Sequence, residues 1–401
     1  MGSDLFPLSS ITTKITKGTT PTSIGSSFTE DGINFVKSES ITGARNLDRF
    51  KFSHIDMATH NRLLRSQLET NDILFSMAGV YLGKTAIVTE KDIPANTNQA
   101  VAIIRVDTTK ADFNYVYYWL SQRQVTESVN AACAQSAQPN INLAQIGSIL
   151  IRLPSIEGQQ SIAATLSCLD DKIELNNRII ANLEAQAQAI FKSWFVDFEP
   201  WGGEAPADWS ITTIDSLCSL VTRGITPKYS DDATQIVINQ KCIRNHKIDL
   251  GESRSHTPAT KNEKWLEYGD IVINSTGQGT LGRVAQVFFS ADNITVDSHV
   301  TIVRPKKRNL NSYLGLWTIS KEDEIESMAS GSTGQTELSR ERVKALTLFE
   351  PDNSALDTFA NIIEPMTGMI QKKQEENASL AQTRDTLLPK LMSGEIELQV
   401  G

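Results

Sequence analysis

Leu68-Glu69-Thr70-Asn71-Asp72-Ile73 returns 198 residues later as Leu266-Glu267-Tyr268-Gly269-Asp270-Ile271. Matches in the same order flank it on both sides. Upstream, Thr16-Lys17-Gly18-Thr19-Thr20-Pro21 is echoed by Thr222-Arg223-Gly224-Ile225-Thr226-Pro227. Downstream, Ala100-Val101-Ala102-Ile103-Ile104-Arg105 is echoed by His299-Val300-Thr301-Ile302-Val303-Arg304, Trp119 by Trp317, and residues 146–154 by 343–351. The offset drifts only from 206 to 197, as loop insertions would make it. Several matches in order at nearly one offset mean an internal duplication.

Each copy opens with roughly 150 residues of mixed character, enough for one hydrophobic core. The β-branched runs at 101–106 and 300–303 predict strands, as do Ile271-Val272-Ile273 and residues 284–289. Residues 114–124 and 313–320 predict helices. The fold class is therefore α/β (α+β), with a sheet rich in antiparallel connections. A different kind of helix follows each domain. Across residues 159–198, Leu166, Leu169, Ile173, Ile180, Leu183, Ala187, Ile190 and Trp194 keep the three-and-four spacing of a coiled-coil seam, interrupted by Asn176. The second copy carries Phe359, Ile363, Met366, Ile370, Leu380, Leu387 and Leu391, with Lys373, Asn377 and Arg384 at seam positions. A helix of some 40 residues spans about 60 Å. Its stripe is too long to bury against one small domain, so the two helices are expected to pair antiparallel. Glu199-Pro200-Trp201-Gly202-Gly203 stops the first helix, and Asp208-Trp209-Ser210 opens the second domain. Near Ser9-Ser10 the first domain has no Trp to match Trp209. The expected division is a first domain at 1–155, a central helix at 156–200, a second domain at 201–351, and a C-terminal helix and tail at 352–401.

The net charge of −9 argues against nucleic-acid binding if taken whole, because phosphates are met by Lys and Arg. Its distribution argues otherwise. Residues 1–157 carry 14 charges of each sign and residues 205–352 a net −2, while 158–204 and 353–401 carry −4 and −3. The acid thus sits on the helices, which suit protein docking, and each domain is left free to present a basic face. Cys133, Cys168, Cys218 and Cys242 are scattered without a C-x-x-C pair, so a zinc site is not expected and reduced cytoplasmic thiols are. No signal-peptide pattern and no membrane-length apolar run is present. The sequons at Asn274-Ser275-Thr276 and Asn293-Ile294-Thr295 carry no weight without a secretory route.

Gly277-Gln278-Gly279-Thr280-Leu281-Gly282 has the G-x-G-x-x-G form of a dinucleotide site, but a strand pattern rather than a helix follows it, so a glycine-rich turn is expected. As polar loops, Asn274, Ser275, Thr276 and Gln278 with the trailing Arg283 resemble Ser76 and Gly79 with Lys84. Small hydroxyl residues and glycines let backbone N–H groups approach phosphate, and a cation adds a charge-assisted contact; an ordinary solvated hairpin explains the pattern equally well. Lys17, Thr19 and Thr20 of the first domain, and Arg223 and Thr226 of the second, are further backbone candidates. Base-reading candidates are Lys37, Arg62 and Arg65, and Gln240, Lys241, Arg244 and Arg254, because Gln pairs with adenine edges and Arg or Lys with guanine. The five histidines, His54, His60, His246, His256 and His299, show no metal spacing or nucleophile partner, and the first four read as loop residues. No ATP loop, zinc-protease helix, serine elbow or amino-methyltransferase tetrapeptide occurs. A binding protein, whether a DNA reader or an interaction scaffold with duplicated domains, fits these absences better than an enzyme does.

The chain resembles the DNA-specificity (S) subunits of type I restriction-modification systems. The residues that carry the likeness are the T-[KR]-G-x-T-P opening of both copies, the Gly-Asp-Ile and Ser-Thr-Gly elements within 266–282, the block Phe191-Lys192-Ser193-Trp194-Phe195-Val196-Asp197-Phe198, and the closing Leu388-Pro389-Lys390-Leu391-Met392-Ser393-Gly394-Glu395-Ile396. The resemblance implies two target-recognition domains reading the halves of a split, asymmetric double-stranded DNA site. It implies that the helices, through Leu166, Leu169, Ile173, Ile180, Leu183, Ile190, Trp194, Phe195, Ile370, Leu380, Leu387 and Leu391, act as spacer and dock two methyltransferase subunits. S-adenosylmethionine is then expected on those partners, and ATP and Mg on a restriction subunit, with no cofactor on this chain.

Overall fold

A computed structural model of the chain describes residues 5–133, 140–257, 262–328 and 337–398. Two compact units emerge, Met1–Glu174 with Asn377–Gly401, and Leu175–Glu376. The two units repeat one topology. In the first, Thr12–Lys17, Val101–Val106, Ile73–Ser76 and Thr85–Ile87 lie side by side as an antiparallel sheet, and Ser53–Ile55, Ile33–Val36 and Ala95–Thr97 form a smaller one whose last two strands run parallel. Strand Leu5–Pro7 pairs with Leu150–Arg152. In the second unit the order is Cys218–Arg223, Val300–Pro305, Ile271–Asn274, Val284–Gln286, then Arg254–His256, Gln235–Ile238, Ile294–Val296, with Ser210–Thr213 on Thr347–Glu350. The same bulge recurs, between Thr12 and Lys14 and between Cys218 and Leu220.

The apolar strand runs are buried on both faces, which is why they read as continuous rather than alternating. Ile73, Phe75, Ala102 and Ile104 face the helical side, where Tyr115 and Tyr118 pack, while Leu74, Val101 and Ile103 face the smaller sheet with Val36 and Ile41. Ile271, Ile273 and Val303 against Val272, Val300 and Ile302 do the same in the second unit. Helix Phe113–Ser121 hands over at Gln122 to Arg123–Cys133, so the expected helix at 114–124 is two. The strand expected over 284–289 stops at Gln286.

The repeated Asp anchors this frame. Arg105 grips Asp72 through Nε and Nη2, at 2.8 and 2.9 Å, and also pairs with Glu69. Arg304 grips Asp270 at 2.8 and 2.7 Å and pairs with Glu267 at 2.8 Å. Each Asp closes its own turn as well, accepting the backbone N–H of Glu69 or Glu267 at 2.8 Å. Burial pushes both carboxyls up, and the guanidiniums oppose that shift. The residue before each Asp has positive φ, 71° at Asn71 and 94° at Gly269, the two residue types that tolerate it. Gly18 and Gly224 also match, since a Cβ at either would fall onto the carbonyl oxygen of Thr97 or Val296.

The long helices are Ile156–Phe195 and Asn353–Ser393. In the first unit, Leu166 of the one and Leu391 and Met392 of the other share the domain core, Arg384 donates to Asp170 at 2.7 Å, and Arg152 reaches the Met392 carbonyl at 3.4 Å, an antiparallel order. In the second, Phe195 meets Phe359, Tyr313 and Trp209 with ring centroids 4.8, 4.7 and 5.7 Å apart. Seam residues Leu166, Ile180, Phe195 and Leu391 are buried, and Leu169, Ile173, Leu183, Ile190, Trp194, Ile370, Leu380 and Leu387 half-buried. The buried ones are thus spent on packing within the chain and present little side-chain surface to a partner. The strand pairing equates Ile211 with Leu5, since their partners Phe349 and Arg152 are matching positions of the repeat, so the counterpart of Trp209 falls before Leu5, outside the described residues, rather than near Ser9. Burial pushes the Cys218 thiol up to about 12, leaving it unreactive; the Cys133 side chain lies outside those described. Among the described residues no helix is long and apolar enough to cross a membrane.

Removing one member of a buried ion pair strands the other. Asp270→Ala and Asp72→Ala should each cost roughly 3–5 kcal/mol of stability in urea denaturation. A loss within about 1 kcal/mol, the range of an exposed pair, would show that the Asp–Arg clamp does not hold the frame.

Candidate nucleic-acid interface

In the first unit the T-K-G-x-T-P segment leaves its strand beside the turn that precedes strand Val101–Val106. Gly18 N–H donates to the Val101 carbonyl at 3.3 Å and Thr19 N–H to that of Thr97 at 3.0 Å. Arg65 reaches across to the Thr19 hydroxyl at 3.0 Å, and Thr20 donates to Gln99. Thr19, Thr20 and Arg65 are therefore brought together. Lys17 is exposed at its strand end, and Gly79 at the tip of its loop. Arg62 instead donates to the Ile24 carbonyl at 2.8 Å, Lys37 sits 4.6 Å from the Phe28 ring centre, and Lys84 sits 5.2 Å from that of Tyr81.

Gly224 and Ile225 of the second unit repeat the bonds of Gly18 and Thr19, to Val300 and Val296 at 3.0 and 2.9 Å. The following loop, Gly277 to Gly282, is the hairpin connection between Ile271–Asn274 and Val284–Gln286, as the strand pattern after it required. Just before it Thr276 donates to Gln240 Oε1 at 3.2 Å and bonds His299 Nδ1 at 2.8 Å. Lys241, Arg244, Thr226 and Gln278 are exposed.

Several candidates take other roles. Ser76, Asn274 and Ser275 are fully buried and cannot present side chains to a phosphate. Asn274 donates to the carbonyls of Gln240 and Thr280, both at 3.0 Å, and Ser275 shares a proton with Thr301, so these residues shape the loop instead. Arg283 turns back on its loop to the Gly279 carbonyl at 2.7 Å, and Arg223 pairs with Glu337 and donates to the Leu338 carbonyl at 2.7 Å. Arg254 stacks on Tyr229, 3.5 Å from the ring centre. The histidines also need correction. His54 lies on strand Ser53–Ile55, His60 on helix Met57–Arg62 bonded to Asn96, and buried His256 on strand Arg254–His256. Of these four only His246 is in a turn, where its bond to Glu322 raises its pKa. Gln99 and His299 were not singled out from the sequence, although His299 opens a repeated block in which its counterpart is Ala100.

The type I restriction modification DNA specificity domain matches two stretches, residues 7–185 and 206–381. The chain is 23% identical to the type I restriction enzyme MjaIX specificity subunit of Methanocaldococcus jannaschii, over 88% of this chain and 86% of that one. It is 24% identical to the HindI specificity subunit of Haemophilus influenzae, over 70% and 77%. The crystal structure of a type I restriction-modification S subunit from M. genitalium shares the fold, with a TM-score of 0.60 at 17% identity over 99% of this chain and 96% of that one. With two domain matches taking in most of its length, and the duplicated frame to account for both, the chain belongs to the type I restriction-modification DNA specificity family, whose subunits recognise DNA sequence.

Proposed function

We propose that this chain reads a split, asymmetric DNA site, one half with each domain, and docks the methyltransferase subunits that modify it, together with a restriction subunit where one is present. The observation that carries this reading is a repeated frame bearing different loop ends. Where the first unit sets Thr19 against Arg65, the second has Ile225 and Glu263. The hydrogen bonds that equate these positions are the same in both, Gln67 N–H to the Leu64 carbonyl and Trp265 N–H to that of Asn262. A cation in one copy and a carboxylate in the other cannot favour the same DNA edge, so the two half-sites differ.

The chain itself is the non-catalytic, cofactor-free member of the assembly and works in the cytoplasm. S-adenosylmethionine belongs to the methyltransferase subunits, and ATP with Mg to the restriction subunit. Docking uses the outer faces of the helices, where Leu175, Ile362 and Met369 remain 44%, 38% and 46% exposed. Weak half-site contacts become tight together because the second is intramolecular once the first has formed.

Both helices cross from one compact unit to the other, at Glu174 and at Glu376. A seven-residue insertion at both places keeps the seam in register and lengthens the pair by about 10 Å, close to three base pairs at ~3.4 Å each. The gap between half-sites in the preferred sequence should grow by that amount, read from methylated-site sequencing. An unchanged gap would refute the spacer role. Lys241→Ala should weaken binding evenly across sequences and flatten the slope of log affinity on log salt by about one; an unaltered slope would remove Lys241 from phosphate contact.

A further inference from the structure

The second unit holds a hydrogen-bonded trio that its twin lacks, on positions the frame makes strictly equivalent. His299 and Ala100 sit on the same kind of turn. The His299 N–H donates to Asp297 Oδ1 at 2.9 Å, and the Ala100 N–H to Asn98 Oδ1 at 3.1 Å. Their carbonyls accept from Ser275 and Met77, both at 2.8 Å, which makes Thr276 the counterpart of Ala78. The Cys242 N–H reaches the Asn239 carbonyl as Ser40 reaches Lys37, so Gln240 corresponds to Ser38. Gln240, Thr276 and His299 thus stand where the first unit has Ser38, Ala78 and Ala100. Gly277, with φ of 107°, gives the Gln240 amide room, since a Cβ there would lie 2.9 Å from its nitrogen.

The Thr276 hydroxyl has one proton. Donated to Gln240 Oε1, it obliges His299 to donate through Nδ1, so His299 Nε2 becomes an acceptor and the Gln240 amide nitrogen remains a donor. Rotating the amide reverses both roles together. Either way the trio offers one donor and one acceptor, and His299 is exposed. Adenine presents the complementary pair in the major groove, the N7 acceptor beside the N6 donor, whereas guanine presents two acceptors, and cytosine and thymine one polar group each.

We propose that Gln240, Thr276 and His299 select an adenine in the half-site read by the second domain. This deepens the function proposed above and rests on it. The test is binding of the full chain, with its methyltransferase partner, to duplexes carrying every base at every half-site position. Thr276→Val and His299→Ala should each relax the preference at one A·T pair, in one half-site, by roughly 5- to 100-fold, with the other half-site and the melting temperature unchanged. Placing 7-deazaadenine at that pair, which removes the N7 acceptor, should weaken binding by the unaltered chain. Unchanged base preferences in both variants, or a uniform loss over all sequences, would overturn the trio while leaving the two-domain reading intact. An unaltered chain with no sequence preference would overturn both.

Discussion

Everything in this fold depends on burying the last turns of the second helix in the core that the first domain begins. Leu391 and Met392 lie beside Leu166, Tyr115 and Ile104, and the Arg384–Asp170 pair ties the two helix segments of that unit. A helix of 41 residues cannot satisfy its apolar stripe against water, and its propensity alone would not hold it. The first unit is therefore not one stretch of sequence but a composite, incomplete without the segment that begins at Asn377. The second unit uses the same device, with Phe191 and Phe195 of the first helix packed against Tyr313 and Phe359.

That arrangement separates stability from recognition. The Asp–Arg clamps, the close-packed glycines and the bulge recur in both units because each answers a demand of the frame: a buried charge that needs its partner, or a backbone approach that leaves no room for a side chain. Tyr115 and Tyr313 belong to the same set, each donating to a strand carbonyl at 2.8 and 2.7 Å. The loop ends answer to nothing internal. There Arg65 of one copy can stand as Glu263 in the other, and Ala100 as His299, without cost to the core.

Much of the fold was legible from the chain alone, because duplication prints its own alignment and seam spacing marks a long helix. The loop residues were less so. Ser76, Asn274 and Ser275 look like phosphate ligands by composition, yet they are buried, and Asn274 turns inward to bond the Thr280 carbonyl of its own hairpin. Arg283 follows a glycine loop as a phosphate-binding cation would, and is drawn back to Gly279 instead. His256 sits among polar residues in sequence but on a strand whose neighbours cover it.

Local pattern was sufficient for the duplication, the strand and helix content, the two seams and the family resemblance, since each is written in the spacing of neighbouring residues. Tertiary structure alone decided which polar side chains meet. Gln240, Thr276 and His299 come from three separate segments, and no periodicity within any of them encodes that the Thr276 hydroxyl bonds to both of the others. Hydrogen bonds act over about 3 Å, so their partners are chosen by the folded backbone rather than by distance along the chain.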